Sequence, residues 1–288
     1  MLGESPLWCA RTARLYWVDI EGHWLWRWSP EDGASRMALG GAPGFVAKAA
    51  DGRLISGVAR DLSLIDPLTG SCQCLGPPNF LPAKVRFNDG KADRQGRIVA
   101  GGAHLQQTDP VAPAYCLDAG GSRPFPEPFT VFNGPAFSPD GRRIYFTDSP
   151  SKVIRTAAYE PDSGALGKIE VFATLPATSG YPDGMTVDRE GGLWNAEWDG
   201  GQLTRYHANG ERDRSIPLPV PRPTSLAFGG PALDRLFVTS ARTGLSAEQL
   251  AEAPLSGAVF VLSPGETGLP EATADWARPP AVWSRANG

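Results

Sequence analysis

One pattern recurs at nearly constant spacing and constrains this chain more than any other feature. Six short β-prone segments begin 39, 44, 46, 49 and 43 positions apart: Leu15-Tyr16-Trp17-Val18-Asp19, Leu54-Ile55-Ser56-Gly57, Ile98-Val99-Ala100-Gly101, Ile144-Tyr145-Phe146-Thr147-Asp148, Leu193-Trp194-Asn195-Ala196 and Leu236-Phe237-Val238-Thr239-Ser240. That spacing is the span of a four-stranded propeller blade. Turn chemistry repeats with it. Asp51-Gly52-Arg53, Asp93-Arg94-Gln95-Gly96-Arg97, Asp140-Gly141-Arg142 and Asp188-Arg189-Glu190-Gly191-Gly192 each precede one of these segments, and Gly supplies the positive φ that hairpin turns need. Alternating segments such as Trp24-Leu25-Trp26-Arg27-Trp28 and Gln202-Leu203-Thr204-Arg205-Tyr206 follow, with the period of two that argues strand. Only Ser246–Ala253 reads as helix, opened by a Ser/Gln capping box and closed before Pro254. A β-sandwich repeats its turn signals every 8–12 residues but has no such super-period. The expected fold is all-β, a single six-bladed β-propeller domain over residues 1–288.

Composition supports a folded, turn-rich chain. Its 34 glycines and 28 prolines are a little over a fifth of 288 residues, and 41% of the residues are hydrophobic, enough for a sizeable core. A net charge of −4, with no long Lys/Arg block, argues against nucleic acid and anionic membranes as partners. No apolar run reaches the roughly 18 residues of a membrane span, and the start MLGESPLWCA lacks a signal-peptide pattern. These features predict a cytoplasmic protein. Cys9, Cys72, Cys74 and Cys116 lack metal-ligand spacing and read as reduced small hydrophobes.

A propeller places one repeat position of every blade on a ring around its channel. Ten or eleven positions before each segment stand Glu4, Gly44, Asn88, Asn133, Asp183 and Ser225. Taken singly, Asn and Asp before Gly are ordinary turn formers. A shared register is not something a turn requires. Two carboxylates and two amides converging without basic partners are costly to desolvate unless a cation joins them. The oxygen-rich set suits one divalent ion, Ca²⁺, Mg²⁺, Mn²⁺ or Zn²⁺. None of His23, His104 and His207 occupies this position, which argues against a His-rich zinc site. Arg86 reads either as a solvated charge or as a donor facing a substrate. Asp19, Asp148 and Trp198 read as strand-end and core residues.

Four motifs in order carry a family resemblance: Gly3-Glu4-Ser5-Pro6-Leu7-Trp8, Arg86-Phe87-Asn88-Asp89-Gly90-Lys91, Asn133-Gly134 with Ser138-Pro139-Asp140-Gly141, and Tyr181-Pro182-Asp183-Gly184-Met185-Thr186-Val187-Asp188. From Leu2 to about Phe260 the chain resembles the SMP-30/gluconolactonase/luciferin-regenerating-enzyme family, which includes regucalcin. The resemblance implies a six-bladed propeller holding one divalent metal through Glu4, Asn133 and Asp183, with Arg86 and Asn88 as substrate contacts. It also implies metal-dependent hydrolysis of a small-molecule sugar lactone, an aldonolactone such as glucono- or xylonolactone, to the aldonic acid, with Asp183 as candidate general base. Gln106 falls where some sugar lactonases carry a Glu and is the third expected substrate contact. Members usually have a further segment before the Gly-Glu motif that supplies an outer strand to the last blade. Here that strand is expected to be absent or replaced from the C-terminal tail. The protein is expected as a monomer or weak dimer.

Two other readings share these residues. A metal-dependent esterase or phosphotriesterase would use the same metal, with a more apolar pocket. A non-enzymatic calcium-binding propeller would keep the ion and lack turnover, although interaction propellers need no carboxylate–amide ring.

Overall fold

The fold is described for residues 1–75, 80–118 and 120–275 of a computed structural model of the chain. Six sheets form the blades of a β-propeller, their strands antiparallel and in sequence order from the channel outward except for one C-terminal strand that joins blade 2 in parallel. The inner strands are Gly3–Cys9, Ala47–Ala49, Val85–Ala92, Phe132–Phe137, Tyr181–Val187 and Pro223–Gly229. The recurring segments are the second strands: Arg14–Asp19, Leu54–Val58, Ile98–His104, Arg143–Asp148, Leu193–Trp198 and Arg235–Ser240. The repeat thus reports the blades. The short helix is present at Ala247–Glu252, with the Ser246/Gln249 capping box formed.

Period-two strands send alternate side chains to opposite faces, and each face packs against the next blade. The core is therefore distributed as interface clusters. Ile55 and Leu64 of blade 2 meet Phe87 and Ile98 of blade 3, and Trp8 of blade 1 stacks on Phe237 of blade 6 with ring centroids 5.6 Å apart. Each fully buried large apolar side chain contributes about 1.5–3 kcal/mol relative to exposure. Between blades 3 and 4, Phe132 packs edge-on against Phe125 and Phe129. A Cβ at Gly101 would lie 2.3 Å from the Phe132 ring, so that strand accepts no side chain there.

Ion pairs lock two blades at the turn ends. Asp188 accepts from Trp194 Nε1 at 2.9 Å and from Arg205 Nε at 2.8 Å. Asp93 accepts from Arg97 Nε at 2.6 Å and from Tyr159 Oη at 2.7 Å. Asp19 and Asp148 do act at strand ends: Asp19 accepts from the Leu2 and Gly22 amides, and Asp148 from the Thr130 and Val131 amides.

Among the described residues blade 6 has three strands, ending at Phe260–Leu262, so of the two expected outcomes the outer strand is absent there, and the tail as described to residue 275 does not supply a fourth. It turns inward instead, because its backbone finds partners across the channel. Gly268 bridges Asp188, Arg94 donates to the Pro270 carbonyl, and Thr273–Ala274 adds in parallel to the inner strand of blade 2. The tail thereby covers the end where the inner strands finish. All four cysteines are free, with Cys9 and Cys116 buried and Cys72 and Cys74 exposed on the outermost strand of blade 2. No helix among the described residues is long and apolar enough to cross a membrane.

Candidate active site

The inner strands begin at the end opposite the tail, and there the ladder breaks at the same place in several blades. Register shifts fall between Glu4 and Leu7, between Asn133 and Ala136, and between Pro182 and Met185. In blade 3 the shift lies opposite Asn88, between Gly101 and Gly102. A bulge leaves one residue unpaired and re-aims its side chain. Ser5 and Gly134, which follow Glu4 and Asn133, are left-handed with φ of 49° and 62°. At Gly134 a Cβ would also meet the Asp183 carbonyl oxygen at 2.8 Å. Glycine is therefore required beside Asn133.

These bulges bring Glu4, Asn88, Asn133 and Asp183 together with Arg86 around one cavity of about 310 Å³, at the lower end of small-molecule pockets. Four of the six ring positions thus meet. Gly44 and Ser225 do not line this cavity; a Cβ at Gly44 would lie 2.4 Å from the Phe87 carbonyl oxygen, which keeps blade 2 bare there. Gln106 is exposed and does not line the cavity either. Its neighbour Gln107 does, because the turn after His104 passes through a left-handed conformation at Gln107, φ 55°. The remaining lining residues are Leu2, Val131, Ser149, Pro150, Tyr181 and Trp198.

A directional hydrogen-bond chain runs across the floor. Arg86 Nη1 donates to Asn88 Oδ1 at 2.7 Å and to the Phe87 carbonyl at 2.9 Å. A guanidinium only donates, so it fixes which end of the Asn88 amide is oxygen. Asn88 Nδ2 then donates to Asn133 Oδ1 at 2.7 Å and to the Phe132 carbonyl at 2.9 Å. Asn133 Nδ2 in turn donates to Ser149 Oγ at 2.8 Å. Asn133 Oδ1 is thereby held on the Asn88 side with one lone pair left.

Charge on the floor is unbalanced. Burial pushes the Glu4 carboxyl well above the usual carboxylate range, and the charges of Asp183 and Asp89 add to the shift. Asp183 is raised in the same way by burial and by Asp89. Asp89 lies one residue deeper, accepts from the Gly90 and Gly134 amides at 2.7 and 2.8 Å, and is pushed up to about 6 by burial. Against these three stand the half-buried Arg86, whose guanidinium burial also disfavours as a cation, and Lys91, whose charge pulls Asp89 down. Asp183 Oδ1 is buried without a hydrogen-bond partner. An orphaned carboxylate oxygen beside a second carboxylate and an amide oxygen is a donor set that fits a hard or borderline divalent cation. No group of three or more His, Cys, Asp or Glu suited to a metal occurs among the described residues. Any third protein oxygen would come from the amide of Asn133.

Comparison with known proteins shows the family. The profile of the SMP-30/gluconolactonase/LRE-like family matches residues 2–242. The chain belongs to that family. It is 36% identical to the L-arabinolactonase of Azospirillum brasilense, over 97% of this chain and 93% of that protein. It is 33% identical to a pentonolactonase of Haloferax volcanii, over 95% and 94%. Among solved structures, regucalcin of Agrobacterium tumefaciens, described as a calcium-binding protein, superposes with a TM-score of 0.90 at 28% identity, covering 94% of this chain and 93% of that one.

Proposed function

We propose that this chain is a lactonase that hydrolyses a monosaccharide-derived lactone to its aldonic acid, with a divalent cation held by Glu4, Asn133 and Asp183. The observation that carries the reading is the buried, unpartnered Asp183 Oδ1 in a pocket where carboxylates outnumber cations. Relatives named as lactonases of arabinose-, pentose- and 6-deoxy-6-sulfogluconate-type lactones support the substrate class. A bound cation would supply a Lewis acid for the carbonyl oxygen and ease deprotonation of water.

The protein's own residues account for the remaining requirements. Hydrolysis forms a bond from water oxygen to the carbonyl carbon, breaks the bond from that carbon to the ring oxygen, and moves one proton from water to the ring oxygen. Asp183 is the candidate general base that would take the water proton and return it to the departing alkoxide. Arg86 offers guanidinium protons beyond those given to Asn88 and Phe87, suited to a ring oxygen or hydroxyl. Asn88 spends both amide protons on Asn133 and Phe132, so it acts on the substrate mainly by fixing Asn133.

Base uptake at constant pH tests the reading. Adding pentono- or hexonolactones should release acid faster than the spontaneous rate, EDTA should abolish the excess, and a divalent cation should restore it. No excess release over a lactone panel would refute it. The apolar side of the cavity, Leu2, Val131, Pro150, Tyr181 and Trp198, is the one observation favouring a less polar ester or phosphotriester. Faster turnover of aryl esters than of every lactone would decide for that alternative.

A further inference from the structure

The hydrogen-bond chain across the floor runs in one sense. It starts at the Arg86 guanidinium, passes through the amides of Asn88 and Asn133, and reaches Ser149 Oγ, which accepts from Asn133 Nδ2 at 2.8 Å. Every link donates toward the serine, so the cation at the head polarises each donor after it. An amide nitrogen only donates, so the Ser149 proton is not spent on Asn133, and no acceptor for it occurs among the described residues. Ser149 lines the cavity. The chain therefore ends in a strengthened O–H donor at the cavity wall. The Tyr181 hydroxyl, the Trp198 indole N–H and the Gln107 amide belong to the same wall, but none of them is hydrogen-bonded to a floor side chain among the described residues.

Ser149 is held in place by its own backbone. It opens the short 3-10 turn Ser149–Ser151 that follows the second strand of blade 4, and its amide donates to the Val131 carbonyl at 3.1 Å. Lys152, left-handed with φ of 56°, closes the turn by donating its amide to the Ser149 carbonyl at 3.1 Å. Ser151 Oγ donates to the Asp148 carbonyl at 2.6 Å, while the Asp148 carboxylate takes the Thr130 and Val131 amides. Asn133 lies on the inner strand of the same blade, opposite Thr147 in the ladder. One blade thus supplies both ends of the last link. A donor placed in advance costs no reorganisation when charge develops beside it.

We propose that Ser149 is a catalytic donor that hydrogen-bonds the lactone carbonyl oxygen as water adds to the carbonyl carbon and that oxygen becomes negative. This inference rests on the lactonase reading. Asn133 offers its oxygen to the proposed cation and its nitrogen to Ser149, so the Lewis acid and the serine proton address the same substrate group from one amide. Ser149 keeps its proton throughout. The carbonyl electron pair moves onto oxygen as the bond from water forms, and it returns as the bond from carbon to the ring oxygen breaks. The sense of the chain excludes a nucleophilic serine, since base activation needs an acceptor for the serine proton. It is also distinguishable from a donor to a sugar hydroxyl. A hydroxyl gains no charge during reaction, so its loss appears in KM, whereas a donor to the developing oxyanion appears in kcat.

Wild type, Ser149→Ala and Ser149→Thr are assayed on a pentonolactone. Binding of Mn²⁺, and of the matching aldonolactam to the Mn²⁺-loaded protein, is measured by calorimetry; a lactam keeps the acceptor carbonyl and resists hydrolysis. Ser149→Ala should lower kcat about a hundredfold and leave KM within about threefold of wild type. It should weaken lactam binding about tenfold, the worth of one hydrogen bond. Its Mn²⁺ affinity should stay near the wild-type value, because Asn88 still fixes the Asn133 amide. Ser149→Thr keeps both an acceptor for Asn133 and a donor, and should recover most of kcat. A kcat loss below about tenfold in Ser149→Ala, or a raised KM at unchanged kcat, overturns the proposal. So does a Mn²⁺ affinity that falls in step with kcat, which would make the serine only a support for Asn133. A wild type that hydrolyses no lactone refutes the functional reading instead. The donor then stands if Ser149→Ala weakens lactam binding at unchanged Mn²⁺ affinity, and falls if it does not.

Discussion

Replacing Asn88 by Leu removes the middle link of the Arg86–Asn88–Asn133–Ser149 chain while roughly preserving side-chain shape. Two acceptors lose their donor, the Phe132 carbonyl and Asn133 Oδ1, in a region where Asn88 and Asn133 are 7% and 4% exposed. A buried polar group left unpaired costs about 1–3 kcal/mol. Arg86 keeps the Phe87 carbonyl as acceptor, so its own loss is smaller. The expected destabilisation is about 2–6 kcal/mol by this count, read from urea midpoints at unchanged slope. Function should fall further than stability suggests. Without Asn88 the Asn133 amide no longer has a fixed orientation, and misplacing a site group by an ångström costs about a hundredfold in rate. Chemical denaturation and kcat/KM on the same preparation check both. Stability within about 0.5 kcal/mol of wild type, the usual range for inconsequential surface changes, with full turnover, would refute the reasoning.

Three other outcomes follow from the same structure. Asp183→Asn should reduce kcat by about a hundredfold or more, yet raise the melting temperature in EDTA, because one of three mutually repelling buried carboxylates is removed; full activity or a lowered melting temperature would contradict its role. Cation-free protein should lose stability as pH rises. Glu4, Asp89 and Asp183 have folded pKa values above their unfolded ones, Asp89 at about 6 against 3.8, so their contribution is full below the unfolded values and is lost as pH passes the folded ones. For Asp89 this amounts to something on the order of 3 kcal/mol between about pH 4 and 6, and a flat or rising stability from pH 4 to 7 in EDTA would count against it. Asp188→Ala leaves Arg205 Nε and the Trp194 Nε1 proton without their acceptor, while Asp213 still accepts from Arg205 Nη1, and should cost about 2–6 kcal/mol for the two buried donors, measured by the same denaturation. A cost below about 1 kcal/mol would mean that neighbouring carboxylates compensate.

The blade count and most of the site were legible in the sequence for one physical reason. Rotational repetition converts equal spacing along the chain into equal height in the channel. Glu4, Asn88, Asn133 and Asp183 therefore showed themselves as a ring before any coordinates, and Arg86 came with Asn88. What failed lies where repetition stops. Gln106 and Gln107 sit in a turn after His104, and a turn's direction depends on one left-handed residue that no periodicity announces. Trp198 obeys the alternation of its strand but stands at its last position, where it lines the cavity. The tail's route across the channel depends on its own backbone, which pairs with Asp188 and the inner strand of blade 2 and accepts from the Arg94 guanidinium, and such contacts leave little mark in the tail's side-chain pattern.

The central claim is that oxygens from three blades hold one divalent cation on which turnover depends. Titrating Mn²⁺ into EDTA-treated, dialysed protein by calorimetry, with lactone turnover followed on the same samples, tests it directly. The account predicts one site per chain in wild type, with activity returning in proportion to occupancy, and neither binding nor turnover in Glu4→Gln or Asp183→Asn. Equal binding in those variants, or full lactone turnover in cation-free wild type, would contradict it.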